Sequence, residues 1–213
     1  NAVVSRAYGS TEVPLVCPGA RDRAEAERRA ETDGEISVEL RIVGEDDDTV
    51  TEGESGEILV RGPQMLLGYL ATEDDRDSFA EDGFFRMGDL GRRVSGRYLE
   101  ITGRKKDIII RNGVKVSALE VENCLLKMPS LMEVAVVAAP DGRTGEHGHA
   151  FVRVKPGQPA PSLDDVKRHL EQVDLARPKW PEVIEVVQDF PRTPSGKVRK
   201  VDLRTQVRAA VKS

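Results

Sequence analysis

Cysteine, histidine and aromatic residues are all scarce in this chain of 213 residues. Two cysteines, Cys17 and Cys124, cannot build a disulfide framework, and neither lies in a CxxC or Cys/His metal spacing. A reducing cytoplasm is therefore the expected compartment. Of three histidines, His147 and His149 flank Gly148 with no third ligand close by in sequence, so no metal site is expected there. The formal charge is −5, which argues against a nucleic-acid partner, because such binding needs a dominant basic face. The longest apolar run is about seven residues near Val134–Pro140, far short of the ~20 of a membrane-spanning helix. The acidic stretch Glu45–Asp48 lacks the glycine and closing glutamate of a calcium loop.

What is present is a charged, globular composition: 38% hydrophobic and 32% charged residues, enough for one domain or two small lobes. Val3–Ala7 reads as the end of a buried strand. A chain seldom begins in mid-strand, so its natural N-terminus is expected to be missing. Arg21–Asp33 reads as a short surface helix or a loop. Ile36–Val43 alternates apolar and polar residues, as a half-buried strand does. Glu57–Arg61, Phe84–Met87 and Gly91–Leu99 suggest further β-structure with turns at glycines.

From about residue 103 the pattern becomes mixed α and β. Ile108–Arg111 and Val114–Val116 flank Asn112-Gly113, a favoured hairpin turn pair. Ser117 and Glu120 form the S-x-x-E signature of a helix start, and Val121, Cys124, Leu125 and Met128 follow at one-face helical spacing. Glu133–Ala139, Ala150–Lys155 and Val183–Val187 read as strands. Leu163, Val166, Leu170 and Val173 mark an amphipathic helix, and Leu203, Val207 and Val211 mark a terminal one. Cys124 is expected to pack in the core, and Trp180 to anchor the loop before a strand.

Four short motifs stand in order along this framework: Tyr8-Gly9-Ser10-Thr11-Glu12, Gly88-Asp89-Leu90, the segment GRKKDIIIRNGVKVSALEVE over 103–122, and Pro194-Ser195-Gly196-Lys197. Any one has a plain reading as a turn, a solvated charge run or a basic tail. A phosphate-binding P-loop is excluded at Lys197, because Pro191 and Val198 stand where that motif needs glycine and Ser/Thr. Together, in this order, the motifs resemble the adenylate-forming superfamily of acyl- and aryl-CoA ligases, peptide-synthetase adenylation domains and luciferases.

The resemblance implies an α+β fold: a small barrel-like β subdomain over residues 1–102, ending a large N-terminal domain, then a compact, mobile C-terminal domain over 103–213 with its hinge near Lys106. It implies joining of a small carboxylic acid to the α-phosphate of ATP, with Mg2+, and transfer of the acyl group to coenzyme A. Tyr8 would stack on adenine, Thr11 contact phosphate and Glu12 help hold magnesium. Asp89 would accept the ribose hydroxyls, as a carboxylate with two acceptor oxygens suits, and Arg104 would reach the ribose or phosphate. Gly113 would line the pantetheine tunnel, with Asn112 and Ala118 departing from the usual glycine and proline. Lys197 would be the catalytic cation, a compact point charge between two anions. The rest of the N-terminal domain would have to be supplied by the same chain, so the 213 residues alone are expected to be inactive. Two other readings share these motifs: an adenylation domain loading an amino acid onto a carrier protein, and a non-catalytic module that keeps the scaffold.

Overall fold

The computed structural model describes residues 2–71, 73 and 77–210. The chain divides into two compact units, Asn1–Lys105 and Lys106–Ser213. The fold is α+β, with one five-stranded sheet in the first unit and a mixed sheet flanked by helices in the second.

The first sheet comprises β1 (Gly34–Glu35), β2 (Glu39–Val43), β3 (Gly56–Arg61), β4 (Phe85–Val94) and β5 (Tyr98–Arg104), in the order β1-β5-β4-β3-β2. All pairings are antiparallel. Period-two alternation sends Leu40, Ile42, Ile58, Val60, Phe85 and Leu99 into one cluster with Val13, Val16 and Cys17. Val43, Leu59 and Phe84 form a smaller cluster. The Arg41 and Arg61 guanidiniums lie over the Phe84 ring, 4.1 and 4.5 Å from its centre. The strand order leaves β1 and β2 as edges, so the barrel-like subdomain is an open sheet among the described residues. Helix α1 (Arg23–Arg28) settles the choice between helix and loop; Asp22 caps it by accepting the Glu25 N–H at 2.8 Å.

Three expectations change here. Val3–Ala7 is not a buried strand: Val4 is 88% exposed, and the segment pairs with no strand among the described residues. An apolar run becomes a strand only when a neighbouring ladder satisfies its backbone. The strand expected from Ile36 starts at Glu39, because Ile36 and Ser37 donate their N–H groups to Arg97 and Val16 instead. Finally, β4 runs unbroken through Gly88 (φ +66°), with a register slip at Leu90/Gly91. The turn falls at Ser95-Gly96, both at positive φ.

The second unit contains β6 (Ile108–Arg111), β7 (Val114–Ser117), α2 (Ala118–Leu125), β8 (Leu131–Asp141), β9 (Gly145–Val154), α3 (Leu163–Gln172), β10 (Val183–Val186) and α4 (Lys200–Ala210). Val211, expected in the last helix, lies outside the described residues. Strand β9 organises the sheet: it pairs antiparallel with β8 and β6 and parallel with β10. Val136 of β8 faces a core shared with α2 and α3, while Ala135, Val137 and Ala139 face α4. Both faces of β8 are thus covered, which accounts for a continuous apolar run where a one-sided strand would alternate. Cys124 and Trp180 pack against the first of these cores, and the Trp180 indole donates to the Leu175 carbonyl at 2.7 Å.

Candidate active site

In the first unit, the Tyr8–Glu12 motif forms a tight loop closed by the Tyr8–Cys17 bridge. A Cβ at Gly9 would lie 2.3 Å from the Pro14 carbonyl oxygen, so only glycine fits. The Ser10 hydroxyl accepts the Val13 N–H at 3.2 Å and completes the turn. Thr11 is exposed on this turn. Glu12 accepts the Tyr69 hydroxyl at 3.1 Å. Burial pushes its carboxyl up, but hydrogen bonds from its own backbone, Ser10 and Tyr69 outweigh that and leave it below the usual range. Glu12 therefore stays ionised near neutrality. It belongs to no three-residue ligand cluster among the described residues. A lone ionised carboxylate suits magnesium, which binds through one or two carboxylates plus phosphates and water.

The Tyr8 side chain leads to the most buried charge of the motif set. Its hydroxyl donates to Asp89 Oδ2 at 2.8 Å, and Arg104 Nε pairs with Asp89 Oδ1 at 2.8 Å. Asp89 is 6% exposed. Burial, then the Asp89 charge, push the Tyr8 hydroxyl far above its ordinary range, so it remains a donor. Strand register explains the meeting, since Asp89 on β4 stands opposite Arg104 on β5. A carboxylate offers about four lone-pair sites; Tyr8 and Arg104 use two, leaving acceptor capacity for a pair of hydroxyls. Met87, beside this motif, packs into the main core of its unit.

The Arg104-Lys105-Lys106 run is not a uniformly solvated patch. Arg104 holds Asp89, and Lys105 donates to the buried Glu57 at 2.8 Å, which also accepts Arg86 at 2.9 Å. Lys106 is exposed.

In the second unit, Lys197 sits at the end of a closed loop. The Thr193 N–H donates to the Lys197 carbonyl at 2.8 Å, Gly196 N–H to the Thr193 carbonyl at 2.8 Å, and Lys197 N–H to the Thr193 hydroxyl at 3.1 Å. Gly196 takes φ +84° to permit this closure. The Lys197 ammonium is exposed and pairs with no carboxylate among the described residues. Sequence reasoning missed what holds the loop. Arg192 grips Glu133 of β8 through both carboxylate oxygens, at 2.9 and 2.8 Å, and donates to the Gly196 carbonyl at 3.2 Å. Bonds from Arg192, then Arg153, hold the Glu133 carboxyl below its usual range. No motif flags this pair; the register of β8 beside the loop creates it.

Gly113 and Asn112 form the β6–β7 turn at φ +77° and +49°. A Cβ at Gly113 would meet nothing within 4 Å, so within this unit the backbone angle alone demands glycine. Asp107, at the start of the unit, accepts Arg204 of α4 at 2.7 Å. Lys200 of α4 lies 2.6 Å from Glu122, whose same oxygen accepts the Val136 N–H at 2.7 Å. Neither Asp107 nor Glu122 was singled out from sequence.

The chain belongs to the adenylate-forming family of AMP-binding enzymes. The model for the AMP-binding enzyme matches residues 1–70, and that for the AMP-binding enzyme C-terminal domain matches 120–197. Among curated relatives, the 2,3-dihydroxybenzoate-AMP ligase of Bacillus subtilis is 41% identical over 79% of this chain and 31% of its own length. The medium-chain fatty-acid–CoA ligase of Escherichia coli is 38% identical over 94% of this chain and 36% of its own. Among solved structures, ATP-bound MatB from Rhodopseudomonas palustris superposes with a TM-score of 0.82 at 31% identity, covering 94% of this chain and 40% of that one. The chain thus spans about a third of the length of the curated relatives it matches. Among the described residues, no helix is long and apolar enough to cross a membrane.

Proposed function

We propose that the chain is the C-terminal part of an ATP-dependent carboxylate–CoA ligase, with residues 1–102 ending the large N-terminal domain and 103–213 forming a C-terminal lobe that turns about Lys106. In the first step a carboxylate oxygen attacks the α-phosphorus of ATP, forming an acyl-adenylate and releasing pyrophosphate. In the second, the thiol of coenzyme A attacks the acyl carbon, and AMP leaves. Both reactants of the first step are anions, so positioned cations carry the catalysis.

Asp89 is the ribose acceptor, oriented by Tyr8 and Arg104. Tyr8 and Thr11 flank the nucleotide, and Glu12 would hold Mg2+, which when bound neutralises phosphate charge. Lys197 supplies the ammonium between carboxylate and α-phosphate, and Gly113 lies on the pantetheine side. The observation that carries this reading is the exposed, uncommitted Lys197 ammonium on a loop fixed at both ends. The two free thiols fit a reducing cytoplasm.

The test is Lys197→Ala in the protein at the full length of its relatives. Carboxylate-dependent pyrophosphate exchange should fall by ~10²–10³, while thioester formation from a supplied acyl-adenylate persists. Unchanged exchange would refute the assignment, and no exchange by the unsubstituted protein with any carboxylate would leave only a non-catalytic scaffold. The 213 residues alone should bind ATP weakly and make no acyl-CoA.

A second reading shares these motifs by resemblance: the acyl acceptor is a carrier-protein thiol rather than free coenzyme A. The 41% identity to the 2,3-dihydroxybenzoate-AMP ligase, named for its adenylate and not for coenzyme A, is compatible with it. Lys106 at the hinge position speaks for coenzyme A by resemblance. Offering each thiol to the pre-formed acyl-adenylate separates the two.

A further inference from the structure

The tip of the β8–β9 hairpin carries a feature that adenylate chemistry does not use. Asp141 closes β8, His147 lies near the start of β9, and Glu182 directly precedes β10. Each offers one ligand atom, and these atoms all lie within 4.8 Å of one another. The sequence conceals the set, because the third ligand comes from a distant segment. The Glu182 N–H donates to the Gly148 carbonyl at 2.9 Å, which brings its side chain beside His147.

A second, independent observation concerns the histidine. Its side chain is 14% exposed, both ring nitrogens are buried, and neither has a hydrogen-bond partner among the described residues. A buried polar group left unpaired is destabilising, and such an orphan in a native fold points to an ion or a water. The neighbouring Arg111 Nε lacks a hydrogen-bond partner as well. The Arg111 guanidinium meets Glu182 as an ion pair. The Asp141 carboxylate is already oriented, since Oδ1 accepts from Thr144 N–H at 2.7 Å, the Thr144 hydroxyl at 2.9 Å and Arg143 N–H at 2.9 Å. Its Oδ2 is turned toward His147 Nδ1, 3.8 Å away.

We propose that Asp141, His147 and Glu182 form a binding site for a divalent transition-metal ion, zinc foremost. One imidazole nitrogen and two carboxylate oxygens match zinc, whereas magnesium and calcium favour oxygen ligands throughout. Tetrahedral bonds of ~2.0–2.2 Å place ligand atoms about 3.4 Å apart, close to the present spacing of His147 and Asp141. Three protein ligands leave the fourth position to water. The ion would tie the hairpin tip to the segment entering β10, and it would compete with Arg111 for Glu182.

The test is titration of Zn2+ into the metal-stripped chain by calorimetry, with Co2+ as a visible-absorption probe. One equivalent should bind, the thermal midpoint should rise, and Co2+ should give the intense band of a four-coordinate site. His147→Ala and Glu182→Gln should each weaken binding at least tenfold, and Arg111→Gln, which removes the competing cation, should tighten it. If His147→Ala does not fold, His147→Gln keeps the bulk without the imidazole and serves instead. Absence of zinc binding, binding indifferent to His147 and Glu182, or weaker binding in Arg111→Gln would overturn the site.

Discussion

The two units hold their key charges in opposite ways. In the first, Asp89 is buried and both its oxygens are engaged, one by Tyr8 and one by Arg104. In the second, Lys197 stands in solvent with no carboxylate partner among the described residues, and the backbone beneath it is fixed. A group that receives a ligand gains from rigid orientation, because the entropy of ordering it is lost at folding rather than at binding. A charge offered to a reacting pair must stay uncommitted until the reactants arrive, and an ion pair within its own unit would blunt it. The second unit does bury ion pairs, but it places them elsewhere: Lys200 on Glu122, Arg204 on Asp107.

The contrast can be broken or sharpened in order of expected effect. Lys200→Met leaves Glu122 buried with the Val136 amide alone, and should cost about 3 kcal/mol in urea unfolding, the scale of a buried pair deprived of one partner. Burial already raises the Glu122 carboxyl above its ordinary 4.5, against the pull of Lys200. Without that cation it rises further, so the folded state binds more protons than the unfolded chain above that value. Stability then falls as pH rises, and the deficit of the variant should be larger at pH 8 than at pH 5. Adding Glu122→Gln should recover most of the loss.

Asp89→Asn should cost about 1–2 kcal/mol, the value of a charge-assisted bond discounted because the Arg104 side chain is 54% exposed. It should weaken nucleotide binding at the same time, as a calorimetric ATP titration of the full-length protein would reveal. Lys197→Ala should leave stability within about 0.5 kcal/mol while abolishing most exchange. If both substitutions moved stability equally, the distinction between the units would fail. Arg192→Ala should have only a modest thermal effect, under ~1 kcal/mol for a partly exposed pair. Even so, it should slow pyrophosphate exchange about tenfold by loosening the Lys197 loop, while leaving thioester formation from supplied acyl-adenylate intact. Arg192→Lys should restore part of that rate.

Much of this was legible beforehand where causes are local. Asn112-Gly113 announced its turn because few residues other than glycine, asparagine and aspartate tolerate two successive positive φ angles. Ser117 announced the start of α2, and its hydroxyl does accept the Glu120 N–H. The apolar run through β8 announced burial but not that α4 would cover its second face. Where a cause is distant the reading failed. Val3–Ala7 had the right residues for a strand and no ladder to join among the described residues. Asp141 and His147 had no third partner until the fold brought Glu182 beside them. Arg192 and Glu133 carried no motif, and only the packing of a loop beside β8 joins them.

The sequence by itself determined the periodicities, turns and caps, and through four motifs the family, because backbone sterics and short-range hydrogen bonds act within a few residues. Only the tertiary structure decided which charges are spoken for. An ion pair depends on a distance of a few ångströms between side chains that the chain keeps tens of residues apart, and strand register and helix packing set that distance.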